Sequence, residues 1–258
     1  YKATILLAPA QSEANALTSS AGQLGGLASL AGLGIGSGKS SEAQIAIKIM
    51  QSWSFIENFI EKNEIAVALF AAEGYNDDSN ALLINPDLYD TTSERWMFDD
   101  KDGNPGSPSS WELYQMFSDR LLVSQDRNTG LVTVEIEFYS AKLATEWLVE
   151  YVESINAYMQ HRQIDKVTKN IAYLETQIAK TSISEMEEVF YMIIEDQIKS
   201  KMLAEASPEY VFVIVSPSMV PEVKSQPQRA LIVVLGGIMG GMLSVLFSLV
   251  MHYAKKSN

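Results

Sequence analysis

The sequence predicts an α+β domain, with a small mixed sheet as its base and a long protruding helix, followed by a C-terminal transmembrane helix. Residues 141–206 contain neither Pro nor Gly, although a mean helix has only ~11 to 12 residues. Short β-branched runs lie on both sides of this stretch, as is typical of strands. Residues 230–251 carry no charge. At ~1.5 Å per residue, such a run spans a hydrocarbon layer of ~30 Å.

Composition limits the possible classes of function. The 258 residues allow one elongated domain over 1–226, a Pro-led span over 227–251 and a tail over 252–258. The formal net charge of −13 disfavours nucleic-acid binding, because neutralising phosphates requires many Lys and Arg side chains. The absence of cysteine excludes disulfides and Cys-based zinc sites. Because the chain does not begin with Met, we expect a segment before Tyr1.

The first third of the chain predicts a strand, a loop and a helix. Residues 1–8 are β-branched and aliphatic and are closed by Pro9, which favours a strand. Residues 23–41 are rich in Gly, Ala, Leu and Ser, and they predict an adaptable apolar loop. A helix over about 42–62 follows, because apolar residues recur there at helical spacing. These residues are Ile45, Ile49, Trp53, Ile56, Phe59 and Ile60.

The middle of the chain predicts a surface loop, a helix and a hairpin. Residues 85–110 concentrate Pro, Asp, Gly and Ser, which marks a loop, and a helix begins near Trp111. Residues 121–124 and 131–139 lie on either side of a turn sequence, and the second run alternates apolar and polar residues. We therefore expect a hairpin with one solvent-exposed face.

The Pro-free and Gly-free stretch predicts a helical rod over about 141–206. The sequence TSIS at 181–184 is the expected break, giving helices of about 40 and 22 residues. Within the first helix, five residues follow the a/d spacing of a coiled coil. They are Ile164, Val167, Ile171, Leu174 and Ile178. This seam can pack inside one subunit or between subunits, and the sequence leaves both open.

The C-terminal region predicts a strand, an extended connector and a membrane helix. Residues 209–215 give the strongest strand signal, and this strand and the one at Tyr1 would place both chain ends on the membrane side. Prolines then fix a semi-rigid connector, because they restrict φ and remove hydrogen-bond donors. They are Pro217, Pro221 and Pro227. Two GxxxG pairs, Gly236 with Gly240 and Gly237 with Gly241, predict close helix packing inside the bilayer.

Several near-motifs fail on inspection. GLGIGSGKSS lacks the first Gly of a phosphate loop, since position 33 is Leu33. DDKDGN lacks the first and twelfth ligands of a calcium loop. His161 and His252 have no spacing to a second metal ligand. No nucleophile and base arrangement is recognisable either. We therefore expect no enzyme activity, no cofactor and no metal.

The layout resembles the Wzz-type O-antigen chain-length determinants, the polysaccharide co-polymerases of bacterial inner membranes. The resemblance covers essentially the whole chain, and four blocks carry it. They are residues 1–9 (YKATILLAP), 26–60, 171–212 and 213–237. The Pro-rich exit that runs into a Gly-containing span is the most specific of them.

The resemblance implies a regulator of lipopolysaccharide O-antigen chain length, or of a related surface polysaccharide. It implies a homo-oligomeric ring of about eight subunits acting with a separate O-antigen polymerase on lipid-linked polysaccharide, in contact with membrane lipids. It also implies a first transmembrane helix before residue 1, a main domain in the periplasm and a cytoplasmic C-terminus. No catalytic residue is carried over. The prolines and membrane glycines would shape the subunit and polymerase contacts.

Two other classes compete with this interpretation. A membrane-anchored periplasmic sensory or signalling domain would also use long helices, although the seven residues after the span leave no room for an output module. A periplasmic transport adaptor would share helical hairpins, but it should carry duplicated lipoyl-like domains around the coil. No such repeat is visible in the sequence.

Overall fold

The computed structural model describes residues 1–10, 38–76, 79–97, 106–223, 225 and 237–242. The helices with assigned bounds are α1 (Gly38–Met50), α2 (Trp53–Lys62), α3 (Ala66–Ala71), α4 (Ser110–Ser118), α5 (Ala141–Ile178) and α6 (Ser184–Glu205). The strands are β1 (Lys2–Pro9), β2 (Ala72–Asn76), β3 (Ala81–Ile84), β4 (Tyr89–Asp90), β5 (Arg95–Trp96), β6 (Leu121–Gln125), β7 (Val132–Glu137) and β8 (Phe212–Ser216). The predicted α+β class with a long helix is confirmed.

The main sheet has four strands in the order β6-β7-β1-β8, and every neighbouring pair is antiparallel. The prediction of a mixed sheet is therefore wrong. After β7 the chain leaves along α5 and returns along α6, so that β8 runs in the same direction as β7. Because β1 lies between these two strands and runs opposite to both, no parallel pair forms. The predicted hairpin is confirmed as β6 and β7, with Val123 opposite Val134.

The first half of α5 packs against β1 and β7. The hydroxyl of Ser140 accepts a hydrogen bond from the Leu143 amide at 3.3 Å, which caps the start of the helix. Residues spaced by three and four then form one buried face, as expected for a helix lying on a sheet. They are Ala144, Trp147, Leu148, Tyr151, Val152, Ile155, Asn156 and Met159.

A cluster of aromatic rings joins α2, α4 and α5 in the core. The Tyr151 ring lies edge-on to Phe59 at 4.8 Å and to Phe55 at 5.3 Å, measured between centroids. Phe117 completes the cluster at 5.4 Å from both Phe59 and Tyr151. The Tyr151 hydroxyl donates a hydrogen bond to the Met50 carbonyl oxygen at the end of α1. One side chain thus ties the long helix to the helical layer.

This buried phenol predicts a loss of stability at alkaline pH. Burial, followed by the nearby Tyr114, raises the pKa of Tyr151 well above its ordinary value of 10.0. Because the folded protein holds this proton more tightly than the unfolded chain does, the contribution of Tyr151 to stability is complete below pH ~10, the unfolded-state pKa. That contribution is lost as the pH rises above this pKa toward the folded-state pKa. We expect Tyr151→Phe to flatten the fall of the unfolding free energy above pH ~10 in urea titrations. The same change at the exposed Tyr173 should leave the slope unaltered, and equal slopes for all three proteins would contradict the prediction.

The helix predicted over 42–62 is two helices, α1 and α2, because the chain breaks at Ser52. The backbone amide and the hydroxyl of Ser52 both donate to the Ile49 carbonyl oxygen, at 2.9 and 2.7 Å. Not all of the apolar residues at helical spacing are buried, since Ile45 and Trp53 are 41% and 49% exposed. The residues that α1 and α2 bury are Ala43, Ala46, Met50, Phe55, Ile56, Phe59 and Ile60.

The remaining elements differ from prediction mainly at their ends. The last strand begins at Phe212 rather than at 209, and β1 extends to Pro9. The predicted loop over 85–110 contains the short pair β4 and β5. Helix α4 begins close to the predicted position, because Ser109 and Glu112 form a reciprocal capping box before it.

Candidate functional site

The second half of α5 and the whole of α6 form an antiparallel two-helix extension, which we call the rod (residues 160–205). The sequence predicted two helices of about 40 and 22 residues, and the structure has 38 and 22. Side chains cross between the helices: the Gln163 amide donates to the Ser200 hydroxyl at 3.3 Å, and the Asn170 amide donates to Gln197 Oε1 at 3.5 Å. Within the described residues, the rod consists of these two helices.

The predicted coiled-coil seam lies on the half of α5 against which α6 packs. Val167 is 1% exposed, whereas the other four residues are half-buried. Those four are Ile164, Ile171, Leu174 and Ile178. This burial occurs within one chain, so packing inside the subunit accounts for the seam. A role of these residues between subunits stays a prediction.

The outer side of α6 carries exposed apolar residues. Tyr191, Ile198 and Met202 are spaced by seven and four, which places them on one side of the helix, and they are 58%, 45% and 62% exposed. We call these three residues the apolar stripe. A neighbouring ion pair joins Lys199 Nζ to Glu195 Oε1 at 2.7 Å, and the hydrogen bond from Lys199 lowers the pKa of Glu195. A helix of a monomeric rod would ordinarily present polar groups on this side.

A buried amide fixes the rod to the sheet. Asn156 is 4% exposed, and its Oδ1 accepts hydrogen bonds from the backbone amides of Val211 and Phe212 at 3.0 and 2.9 Å. Its Nδ2 donates to the Phe212 carbonyl oxygen at 2.9 Å. One side chain thereby satisfies three backbone groups at the start of β8, where the chain returns from the rod.

A second amide, one turn further along α5, extends this junction. Gln160 Nε2 donates to the carbonyl oxygens of Ala204 and Ser207, at 2.8 and 3.1 Å. Both carbonyls lie where α6 ends, and the Ala204 carbonyl also accepts a hydrogen bond from the Ser207 amide at 3.2 Å. Sequence reasoning missed both amides. The available signal was a polar residue, Asn156, within the otherwise apolar period of α5.

The rod points away from the end of the sheet where the described chain starts. The Tyr1 amino group donates to the Phe138 carbonyl oxygen at 2.7 Å, and the Ser225 hydroxyl donates to the Glu137 carboxylate. Asn156 meets Phe212 at the opposite end, because Phe212 pairs with Pro9 at the far end of β1. The 22 residues of α5 beyond Asn156 then extend about 33 Å at ~1.5 Å each.

The predicted proline and glycine positions lie only partly within the described residues. Pro217 is exposed and Pro221 half-buried, whereas Pro227 and Gly236 fall outside. Residues 237–242 are helical, and a Cβ added at Gly237, Gly240 or Gly241 would meet nothing within 4 Å. Their packing against another helix stays a prediction. None of the helices in the described segments is both long and apolar enough to cross a membrane, and most of the predicted span, 227–251, falls outside those segments.

The weaker motifs also fall mostly outside the described residues. This holds for most of the phosphate-loop near-match, for residues 98–105 of the calcium-loop near-match and for His252. His161 is exposed on α5. Within the part of the chain that the structure describes, no three His, Asp or Glu side chains are grouped to hold a metal ion.

Comparisons with known proteins give likenesses to solved structures and no sequence match. No protein-family model matches the chain, and no curated protein is significantly similar to it. Among the solved structures that match is a fragment of WzzB, a polysaccharide co-polymerase from Salmonella Typhimurium. The two chains are 12% identical, and the match covers 88% of this chain and 99% of that fragment, with a TM-score of 0.35. At this TM-score and identity, the likeness does not establish membership of a family.

Proposed function

We propose that this chain regulates the chain length of a surface polysaccharide, such as lipopolysaccharide O-antigen, as a membrane-anchored homo-oligomer. The observation that supports this most is the rod, which extends away from the end of the sheet that holds Tyr1 and Ser225. With residues 230–251 in the bacterial inner membrane, the rod would stand outward in the periplasm and the C-terminus would be cytoplasmic. The role is not enzymatic.

The proposed mechanism requires a fixed surface rather than site chemistry. A ring of identical rods offers the same surface at the same height in every subunit, because the amides of Asn156 and Gln160 fix each rod to its sheet. Such a ring can bias when a separate polymerase releases a lipid-linked polysaccharide. The net charge of −13 disfavours binding an anionic polymer by charge, so neutral polar contacts to sugar or contacts to the polymerase are favoured.

Self-association is expected to involve the apolar stripe. Burying Ile198 at a contact between copies would remove its exposed surface from water, whereas a glutamate there would carry an unpaired charge into the contact. We expect Ile198→Glu to weaken self-association at least about tenfold, equivalent to ~1.4 kcal/mol. The measurement is the mass distribution of the full-length protein in mild detergent.

The matched control is Lys199→Glu, which places a carboxylate on the next residue, at the charged side of α6. It replaces an exposed ion pair with an exposed like-charge pair, whose cost is small. Equal loss of the oligomer in both variants would mean that added charge alone disperses it. An oligomer unchanged in Ile198→Glu would exclude the stripe as the contact.

The function itself is tested by deleting the gene in its own bacterium. The length distribution of the surface polysaccharide, resolved on a gel, should lose its preferred length and recover it when the intact chain is supplied. Complementation by Ile198→Glu should fail if the oligomer is the active form, whereas Lys199→Glu should succeed. A distribution that deletion leaves unchanged would refute the proposal.

A further inference from the structure

The segment after β8 exposes more apolar surface than its position explains. Met219, Val220 and Val223 are 82%, 56% and 79% exposed, and Met219 and Val223 exceed every other large apolar side chain in the described segments. We call residues 217–223 the connector. Two prolines, Pro217 and Pro221, restrict its backbone, so these side chains are displayed on a semi-rigid strip. An isolated exposed apolar residue needs no explanation, but three within five positions do.

The connector leads to a defined end of the sheet. Strand β8 pairs with β1 from Pro9 down to Leu6, and the chain then continues until the Ser225 hydroxyl reaches Glu137. Glu137 pairs with Lys2, so Ser225 lies close to where β1 begins. We call this the start end of the sheet.

The start end also carries groups that favour the boundary between water and lipid. The Tyr139 ring is 39% exposed, and the Arg120 guanidinium carbon lies 5.8 Å from its centroid. The same guanidinium carbon lies 5.9 Å from the Phe138 ring. Tyr and Arg side chains combine an apolar body with a polar tip, which suits them to the headgroup layer of a bilayer. The exposed apolar residues of the connector and the pair formed by Tyr139 and Arg120 therefore both favour the boundary between water and lipid.

Distance along the chain limits how far the connector can lie from a bilayer. Val223 precedes the uncharged run at 230–251 by seven residues, which span at most about 25 Å when fully extended. The headgroup layer on each side of a ~30 Å hydrocarbon core is roughly 5 to 7 Å thick. The link therefore keeps Val223 within about 25 Å of the hydrocarbon core and allows the connector to reach the headgroup layer. The sequence also places Lys224 and Arg229 within this link, and both charges would be attracted to anionic lipids.

We propose that the connector is a lipid-contact surface, with Met219, Val220 and Val223 inserted into the headgroup layer of the bilayer that holds residues 230–251. This rests on the membrane anchor of the proposed function and adds a second contact with the membrane. Two contacts, one through the span and one through the connector, would fix the tilt of the sheet and therefore of the rod. The connector thereby becomes the element that orients the domain.

The chain contains no cysteine, so single labels can be placed without removing native residues. We would make Met219→Cys, Val223→Cys and, as a control on the rod, Tyr173→Cys, which replaces a side chain that is 64% exposed. Each full-length variant is labelled with bimane and reconstituted into vesicles of phosphatidylethanolamine and phosphatidylglycerol. Some vesicles contain a lipid with a nitroxide on its headgroup, and flotation of the vesicles reports anchoring separately.

The expected result is several-fold stronger nitroxide quenching at positions 219 and 223 than at 173, with the opposite order for iodide in solution. Equal nitroxide quenching at all three positions in protein that floats with the vesicles would overturn the lipid contact and leave the anchor intact. Weak quenching of positions 219 and 223 by both agents would show that another protein surface covers the connector, which also overturns the proposal. Protein that fails to float would refute the membrane anchor itself.

Discussion

Replacing Asn156 with Leu is expected to lower the free energy of unfolding by about 4 kcal/mol. The substitution leaves the backbone amides of Val211 and Phe212 and the carbonyl of Phe212 buried without their partner. Each unpaired buried group costs ~1–3 kcal/mol, partly offset by the added apolar surface of Leu. Urea unfolding followed by circular dichroism measures the change, and the midpoint should fall without a large change in slope.

Two further variants separate the hydrogen bonds of Asn156 from helix propensity. Asn156→Asp keeps the acceptor for both amides but places a second oxygen against the Phe212 carbonyl, so we expect an intermediate loss. Asn170→Ala removes the exposed contact to Gln197 and should change stability by no more than about 0.5 kcal/mol. If Asn156→Leu were as mild as Asn170→Ala, the junction would not depend on this amide.

Replacing Phe59 with Ala is expected to cost about 3–5 kcal/mol, as is typical of large-to-small changes at aromatic core positions. Phe59 is 1% exposed, and its ring contacts Phe117 and Tyr151, so truncation leaves a cavity between three helices. Thermal unfolding should show the loss as a lower midpoint. Because Tyr151 belongs to α5, we also expect the start of the long helix to lose protection in hydrogen exchange.

The control for Phe59 is Trp53→Ala on the same helix. Trp53 is 49% exposed, and its indole Nε1 donates to the Ser110 hydroxyl at 2.7 Å on the surface. We expect a loss below about 1 kcal/mol, although the larger side chain is removed. A greater loss at Trp53 than at Phe59 would mean that the buried face of α2 has been wrongly assigned.

This pair of residues also shows where sequence reasoning succeeds and where it fails. Both follow the helical period that predicted one helix over 42–62, and periodicity alone cannot reveal a break without Pro or Gly. Ser52 creates that break by bonding back to Ile49, and the register of the buried face changes after it. The two long helices were predictable for the opposite reason, since the 66 residues over 141–206 contain neither Pro nor Gly and permit little else.

Contacts between distant residues account for the rest of what the sequence did not predict. Asn156 and Phe212 are 56 positions apart, and nothing in the local pattern pairs them. The antiparallel sheet likewise depends on β1 lying between β7 and β8, which is decided by the return path of the helices. For the candidate site, the sequence located the seam of the rod but not the amides of its junction.

Asn156 and Gln160 hold the rod only where it leaves the sheet. The length of the rod can therefore change without any change in the sheet that forms the base. Adding seven residues to each helix near the turn at 179–183 would move the tip by ~10.5 Å while keeping the a/d pattern in phase. Every strand pair and every hydrogen bond of the junction would be unaffected. Insertions and deletions there could therefore change the height of the protein in related genes without requiring the base to be redesigned.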